Sequence, residues 1–155
     1  MKSSAQPPLD LHGTGYCAAF NFRRTARAVT KLYDEALQPA GMRSTQFAIL
    51  VGVKKNEPVA IGRLGQLLGI DSTTLTRSLR LLRREGLLAV GKRAERRQRF
   101  VSVTPKGAKA LAQAVPVWRE IQRRFVDTVG DEYWQNLRSE LERLAGVATK
   151  LEVPG

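Results

Sequence analysis

Apolar side chains recur every three or four residues along most of this chain, a spacing that gives a helix one buried face. It predicts a long helix from residue 16 to about residue 38, and a second helix that begins with Ser44 as N-cap and runs to about Lys55. The residues expected to face inward are Phe22, Ala26, Val29, Tyr33 and Ala36 in the first helix, and Phe47, Leu50 and Val51 in the second.

The next two predicted helices are separated by a tight turn. The first spans Ile61 to Leu68, and Gly69 can relieve backbone strain at its C-terminal turn. Asp71 can cap the second, which runs to about Glu85, because its carboxylate accepts backbone N–H groups and faces the positive end of the helix dipole. The core-facing stripe of this second helix is expected to be Leu75, Leu79 and Leu82.

Two apolar segments follow these helices. Residues 87–90 and 100–103 are predicted to be strands, joined by the sequence GKRAERRQR, which is too charged to be buried. A bridge near Val59 would add a third strand.

The helical spacing then resumes. Thr104 and Pro105 start a long helix to about Thr128, with a bend expected at Pro116. Asp131 opens a last helix to about Leu151. Its apolar face is expected to consist of Trp134, Leu137, Leu141 and Leu144.

This order of elements predicts a mainly α fold with a small β-hairpin wing. A winged helix-turn-helix core is flanked by long N- and C-terminal dimerisation helices. We expect one intertwined domain: a flexible arm at residues 1–15, a helical dimerisation region at 16–42 and 105–151, and a DNA-binding region at 43–104. The long helices have little to pack on within one chain, so a second copy is expected to cover them in a homodimer.

The charge of the chain favours a polyanionic partner. The formal net charge is +12, and the segment between residues 77 and 99 holds nine basic and two acidic residues. Double-stranded DNA is the first candidate partner and an anionic membrane surface the second. No stretch approaches the ~20 apolar residues that span a bilayer, so no membrane partner is expected.

The exposed face of the helix after Asp71 carries residue types that suit DNA. Short hydroxyls at its start can touch base edges or phosphates, and arginines can fork to guanine or clamp phosphates. Ser72, Thr73, Thr76 and Arg77 are expected to contact bases, and Arg80 either bases or backbone. The alternative is an ordinary solvated helix face.

The charged segment between the strands concentrates cations at a hairpin tip. An arginine there fits a narrow minor groove, whose negative potential attracts guanidinium. The alternative is a flexible basic loop. The candidate contacts are Lys92, Arg93, Arg96 and Arg97.

Two segments resemble the MarR family of regulators. IGRLGQLLGIDSTTLTRSLRLLRREGLL is similar to that family's helix-turn-helix, and ERRQRFVSVTPKG is similar to its wing and following strand. The resemblance implies a dimeric repressor that binds a pseudo-palindromic operator and is released by a small aromatic or phenolic effector. It also implies that Glu95, where the family usually has Asp, orients an arginine of the wing or of the recognition helix.

Cys17 offers a second hypothesis about function. Some relatives within that family sense organic hydroperoxides with one cysteine near the start of the first helix, where a helix N-terminus favours the thiolate. The alternative is a small buried hydrophobe. A lone cysteine also suits a reducing compartment, so a cytoplasmic protein is expected.

Other classes of function find little support in the sequence. His12 is the only histidine, and no nucleophile, phosphate-loop or metal motif is present, so neither an enzyme nor a metal or cofactor is expected. The remaining alternative is an architectural protein that binds DNA with low specificity. The hydroxyl-rich start of the recognition helix argues against it, because a phosphate binder needs only charge.

Overall fold

The computed structural model describes residues 10–93 and 96–152. For residues 92, 93 and 96–98 it describes the backbone alone. Residues 1–9 of the predicted arm lie outside this range. The elements in chain order are α1 Ala18–Leu37, α2 Ser44–Asn56, β1 Val59–Ala60, α3 Ile61–Leu68, α4 Ser72–Arg84, β2 Leu88–Arg93, β3 Arg96–Val103, α5 Pro105–Val129 and α6 Asp131–Lys150. The mainly helical fold with a small hairpin is therefore confirmed.

The hydrophobic core lies where α2, α3, α4 and the base of the hairpin meet the start of α5. Leu50, Leu64 and Leu82 are fully buried there, and the apolar side chains of Val101 and Leu111 pack into the same cluster. Burying one leucine contributes about 1.5–3 kcal/mol. This shared core fixes the short helices and the hairpin to one another.

The helix-turn-helix segment follows its sequence signals closely. Gly69 adopts the left-handed conformation, with φ +62°, that ends α3 and turns the chain towards α4. The Asp71 carboxylate accepts the backbone N–H groups of Thr73 and Thr74 at 3.0 and 2.9 Å, as expected of an N-cap. The leucine stripe of α4 is buried as predicted: Leu75, Leu79 and Leu82.

The start of α2 differs from its prediction. Ser44 is the first helical residue rather than the N-cap, and its hydroxyl donates to Asp34 Oδ1 at 2.5 Å. Arg43 occupies the cap position, where its backbone N–H donates to the Gln46 side chain at 2.9 Å. The prediction was wrong because a partner ten residues earlier in the chain takes the hydroxyl that a local capping rule assigns to the helix.

The inward faces of α1 and α2 also differ in part from their predictions. Leu37 and Ile49 are fully buried, although neither belonged to the predicted stripes. Phe22 and Ala26 are exposed in this chain, and Val51 is only half-buried. Every residue in the first half of α1 except Asn21 is exposed, so the apolar stripe there has no core of the same chain beneath it.

The three strands form an antiparallel sheet in the order β1-β3-β2. The predicted third strand near Val59 is present and has two residues. The predicted hairpin ends at Val90 and Phe100 were wrong, because β2 continues to Arg93 and β3 begins at Arg96. The ladder joins backbone groups, so a charged sequence does not prevent pairing where burial is not required.

The long helices α5 and α6 complete the fold. Thr104 Oγ1 accepts the N–H of Gly107 at 3.0 Å and so caps α5, which continues through Pro116 as one helix. Tyr33 of α1 donates its hydroxyl to Gln122 Oε1 of α5 at 2.6 Å. Large apolar residues of α1 and α6 stay exposed near the free ends of these helices: Phe20, Phe22, Leu141, Leu144 and Val147.

Candidate nucleic-acid interface

The exposed face of α4 carries the predicted base-reading residues. Leu75, Leu79 and Leu82 anchor the opposite side of the helix in the core, so the polar side must face solvent. The structure brings five predicted residues together on this exposed surface: Ser72, Thr73, Thr76, Arg77 and Arg80. Arg83 and Arg84 are exposed in its last turn.

Asp71 fixes the N-terminal end of this helix. Hydrogen bonds from the Thr74 side chain and from the backbone of Thr74 and Thr73 lower the pKa of the Asp71 carboxyl. The carboxylate therefore stays ionised, and it holds the first turn in place where Ser72 and Thr73 are displayed.

Two residues that the sequence did not indicate fix the C-terminal end. Gln46 of α2 donates its side-chain amide to Glu85 Oε2 at 3.2 Å, and Lys106 of α5 donates to the Glu85 carbonyl oxygen at 2.8 Å. A cation at a helix C-terminus also complements the dipole. These partners lie 39 and 21 residues from Glu85 in the chain, so no local pattern could have identified them.

The hairpin brings the predicted wing positions to its outer end. Lys92 of β2 pairs with Arg99 of β3, and Arg93 pairs with Arg96, with a bulge between Lys92 and Arg93. Arg97 lies beside Arg96 in β3. Glu95 and the role predicted for it lie outside the described residues.

The base of the hairpin is tied to α2, α4 and α5. The Val103 N–H at the end of β3 donates to Glu57 Oε2 at 2.8 Å, and Lys54 donates to Glu57 Oε1 at 2.6 Å. The Thr104 hydroxyl donates to the Gly86 carbonyl oxygen at 2.7 Å, just after α4.

Known proteins with the same arrangement of helices and hairpin are DNA-binding regulators. A family described as a winged helix DNA-binding domain matches residues 42–107. The regulator MosR of M. tuberculosis, solved in complex with DNA, is 37% identical with a TM-score of 0.77 over 87% of this chain and 99% of that one. A MarR family regulator from Rhodococcus sp. RHA1 shares the fold, at 20% identity and a TM-score of 0.72 over 88% and 96% of the two chains. The chain belongs to the MarR family of winged-helix transcriptional regulators.

A curated relative of this MarR-type regulator is the organic hydroperoxide resistance transcriptional regulator of Bacillus subtilis (strain 168). It is 30% identical over 95 residues, which make up 60% of this chain and 64% of that protein. The matched region thus spans less than two thirds of the relative. These relatives are regulators and not enzymes, which agrees with the predicted class of function.

The remaining expectations concern Cys17, metals and membranes. Cys17 is exposed at the N-cap position of α1, so it is not buried within its own chain. In the ranges that the structure describes, no group of three or more His, Cys, Asp or Glu side chains could hold a metal ion. No helix within those ranges is both long and apolar enough to cross a membrane.

Proposed function

We propose that this DNA-binding MarR-type regulator is a homodimeric repressor that recognises a pseudo-palindromic operator. The observation that carries the proposal is the helix α4, capped at both ends and displaying hydroxyls and arginines next to a basic hairpin. Ser72, Thr73, Thr76 and Arg77 contact bases in the major groove, and Arg80 contacts a base or a phosphate. The hairpin residues Lys92, Arg93, Arg96 and Arg97 approach the adjacent minor groove.

The exposed apolar ends of α1 and α6 support a homodimer. Phe20 is 59% exposed and Leu144 38%, and exposed apolar side chains of this size on two long helices are a surface that a second copy would cover. A two-fold dimer predicts an inverted repeat with half-sites about 10 base pairs apart. Sedimentation should find twice the mass of the chain, and Leu144→Glu should return it to the monomer. A monomeric wild-type chain would rule out the two-fold operator.

A cleft between α1, α2 and α5 supports release by an aromatic effector. Its volume is about 520 Å³, within the range of small-molecule sites, and Tyr33, Phe47 and Trp118 line it. Phe47 and Trp118 stack with centroids 5.7 Å apart, and burial raises the pKa of the Tyr33 hydroxyl, which stays protonated. 4-Hydroxybenzoate should quench Trp118 fluorescence and weaken operator binding. Quenching without weaker binding would leave the cleft without a regulatory role.

Selection of bound DNA from a random pool tests the proposed specificity. The selected operator should be an inverted repeat that binds at least about 10³-fold more tightly than unrelated duplex. A ratio near one would support the architectural alternative. We expect the protein to act in the cytoplasm, because its DNA partner lies there.

Single substitutions separate base contacts from phosphate contacts. Arg77→Ala should cost about 1–3 kcal/mol and relax preference at one base position. Arg97→Ala should weaken binding to all sequences and reduce the salt slope by about one. Arg119→Ala removes an exposed arginine from α5 and serves as the control. Equal loss for every sequence with Arg77→Ala would make Arg77 a phosphate contact.

A second candidate function is regulation by oxidation of Cys17. Its exposure at the start of α1 favours this candidate, and one curated relative is an organic hydroperoxide resistance regulator. Cumene hydroperoxide should oxidise the thiol to sulfenic acid, with release of the corresponding alcohol, and reduce operator affinity. Cys17→Ser should keep full affinity after the same treatment. Equal loss of affinity in both proteins would exclude Cys17 as the sensor.

A further inference from the structure

We propose that Glu57 is a positioning residue that sets the orientation of the wing relative to the recognition helix α4. Its side-chain carboxylate accepts a backbone N–H of β3 at the point where β1 no longer pairs with β3. The side chain thereby replaces one missing hydrogen bond, or rung, of the sheet. This inference rests on the proposed contact between the hairpin and DNA. Its experiments therefore include a test of that contact.

The register of the sheet shows which rung is missing. Val59 pairs with Val101 and Ala60 with Phe100, so the antiparallel register continues to a pairing of residue 57 with residue 103. Strand β1 begins only at Val59, so the backbone ladder ends before the position of Glu57. At this position the Glu57 side chain accepts the Val103 N–H at 2.8 Å, and the half-buried rung is thereby satisfied.

The second carboxylate oxygen connects this rung to the core. Lys54 of α2 donates to Glu57 Oε1 at 2.6 Å, and its neighbour Val53 is fully buried. The hydrogen bond from Lys54, followed by that from the Val103 N–H, lowers the pKa of the Glu57 carboxyl. The carboxylate therefore stays ionised at neutral pH and is held from both sides, by α2 and by the base of β3.

The other edge of β3 connects to the end of α4. Val103 pairs with Leu88 of β2, and the Thr104 hydroxyl donates to the Gly86 carbonyl oxygen. Glu57 thus extends the hold that β1 has on the edge of β3 that faces away from β2. The contacts that hold α4 itself use other residues, namely Asp71, Gln46 and Lys106. Loss of the Glu57 contact should therefore move the wing and leave α4 in place.

Two substitutions at this position separate geometry from charge. Glu57→Asp keeps the charge but shortens the side chain by one methylene, so it should lose the Val103 contact. Glu57→Gln loses the charge and the bond from Lys54, because its NH2 group cannot accept, but its one amide oxygen can still accept the Val103 N–H at the same reach. Positioning predicts a defective Asp variant and a near-normal Gln variant, whereas a purely electrostatic role predicts the reverse. Glu120→Asp, at an exposed carboxylate that pairs with Arg123 on α5, is the matched control.

The readouts are operator affinity, its salt slope, and amide exchange of Val103. Glu57→Asp should weaken the operator complex about tenfold and speed exchange of the Val103 amide by a similar factor. Its salt slope should fall by about one while base preference opposite α4 is unchanged. Glu57→Gln should stay within about twofold of the wild type in affinity and exchange, since it still satisfies the N–H.

Several outcomes would overturn the inference. Unchanged Val103 exchange in Glu57→Asp would show that the rung does not matter. An equal loss of base preference opposite α4 would show that Glu57 holds the whole domain and not the wing. If Arg97→Ala weakens binding while Glu57→Asp does not, the positioning role of Glu57 is refuted and the proposed contact between the wing and DNA stands. If Arg97→Ala also has no effect, the proposed wing contact fails with it.

Discussion

Gly107 lies at a position where the structure leaves no room for a side chain. It lies in the first turn of α5, and a Cβ built there would stand 2.1 Å from the Leu87 carbonyl oxygen and 2.9 Å from Val103 Cγ1. Real Cβ atoms do not approach backbone that closely, so Gly107→Ala must push the base of the hairpin away from α5. Because glycine has no side chain, the backbone of α5 can pack this closely against Leu87 and Val103.

The size of the effect follows from three contributions. Overpacking of this kind costs about 1–3 kcal/mol, and contact with backbone places it at the upper end. The Leu87 oxygen also accepts the Thr104 N–H at 3.1 Å, a bond worth about 1 kcal/mol that the shift would weaken. Alanine favours the helix by about 1 kcal/mol over glycine. The net loss should be about 3 kcal/mol, which lowers the Tm by roughly 6–12 °C for a domain of this size.

Urea unfolding followed by circular dichroism, at one fixed protomer concentration, measures this loss. Gly62→Ala in α3 is the matched control, because a Cβ there meets nothing within 4 Å. It should be neutral or more stable by up to about 1 kcal/mol. If Gly107→Ala were as stable as Gly62→Ala, α5 and the base of the hairpin could not be packed as described.

The remaining predictions concern the core and acidic pH. Leu82→Ala should cost about 2–5 kcal/mol in the same unfolding assay, since the side chain is fully buried, and a loss no larger than that of exposed Leu67→Ala would contradict this packing. Asp71 and Glu57 have pKa values lowered from 3.8 and 4.5. A lowered folded pKa contributes stability that is complete above the ordinary value and is lost as the pH falls through the folded one. Unfolding midpoints should therefore drop below about pH 4, with a smaller drop in Asp71→Asn, which keeps the cap but cannot titrate. An equally steep drop in that variant would show that Asp71 does not contribute.

The helix-turn-helix could be predicted from sequence because its signals are local. Asp71, the leucines of α4 and the glycine after α3 all act within one or two turns of their own position, and each lies where it was expected. The same holds for Thr104 and Pro105 at the start of α5. The exposed face of α4 then follows directly, because fixing one side of a helix in the core fixes the other in solvent.

The features that sequence did not predict depend on distant partners. Glu57 meets Val103 across 46 residues, and Ser44 meets Asp34 instead of capping its own helix. The hairpin was predicted too short because an apolar pattern detects burial, whereas backbone pairing continues into charged sequence at Lys92 and Arg96. Sequence spacing predicts one helix or strand at a time, whereas each of these contacts joins two elements that are far apart in the chain.

The two elements proposed to face DNA, α4 and the hairpin, are held by different contacts, and this difference bears on the proposed regulation. Helix α4 is fixed by buried leucines and by contacts at both ends, one of them from Lys106 at the start of α5. Gly107 packs against Leu87 in the same place, so the end of α4, the start of β2 and the start of α5 are packed together. If the chain dimerises as proposed, a ligand cannot easily reshape the reading surface itself. It would instead rotate these packed elements about the long helices, where Tyr33 and Gln122 join α1 to α5, and so change the distance between the two α4 helices of the proposed dimer.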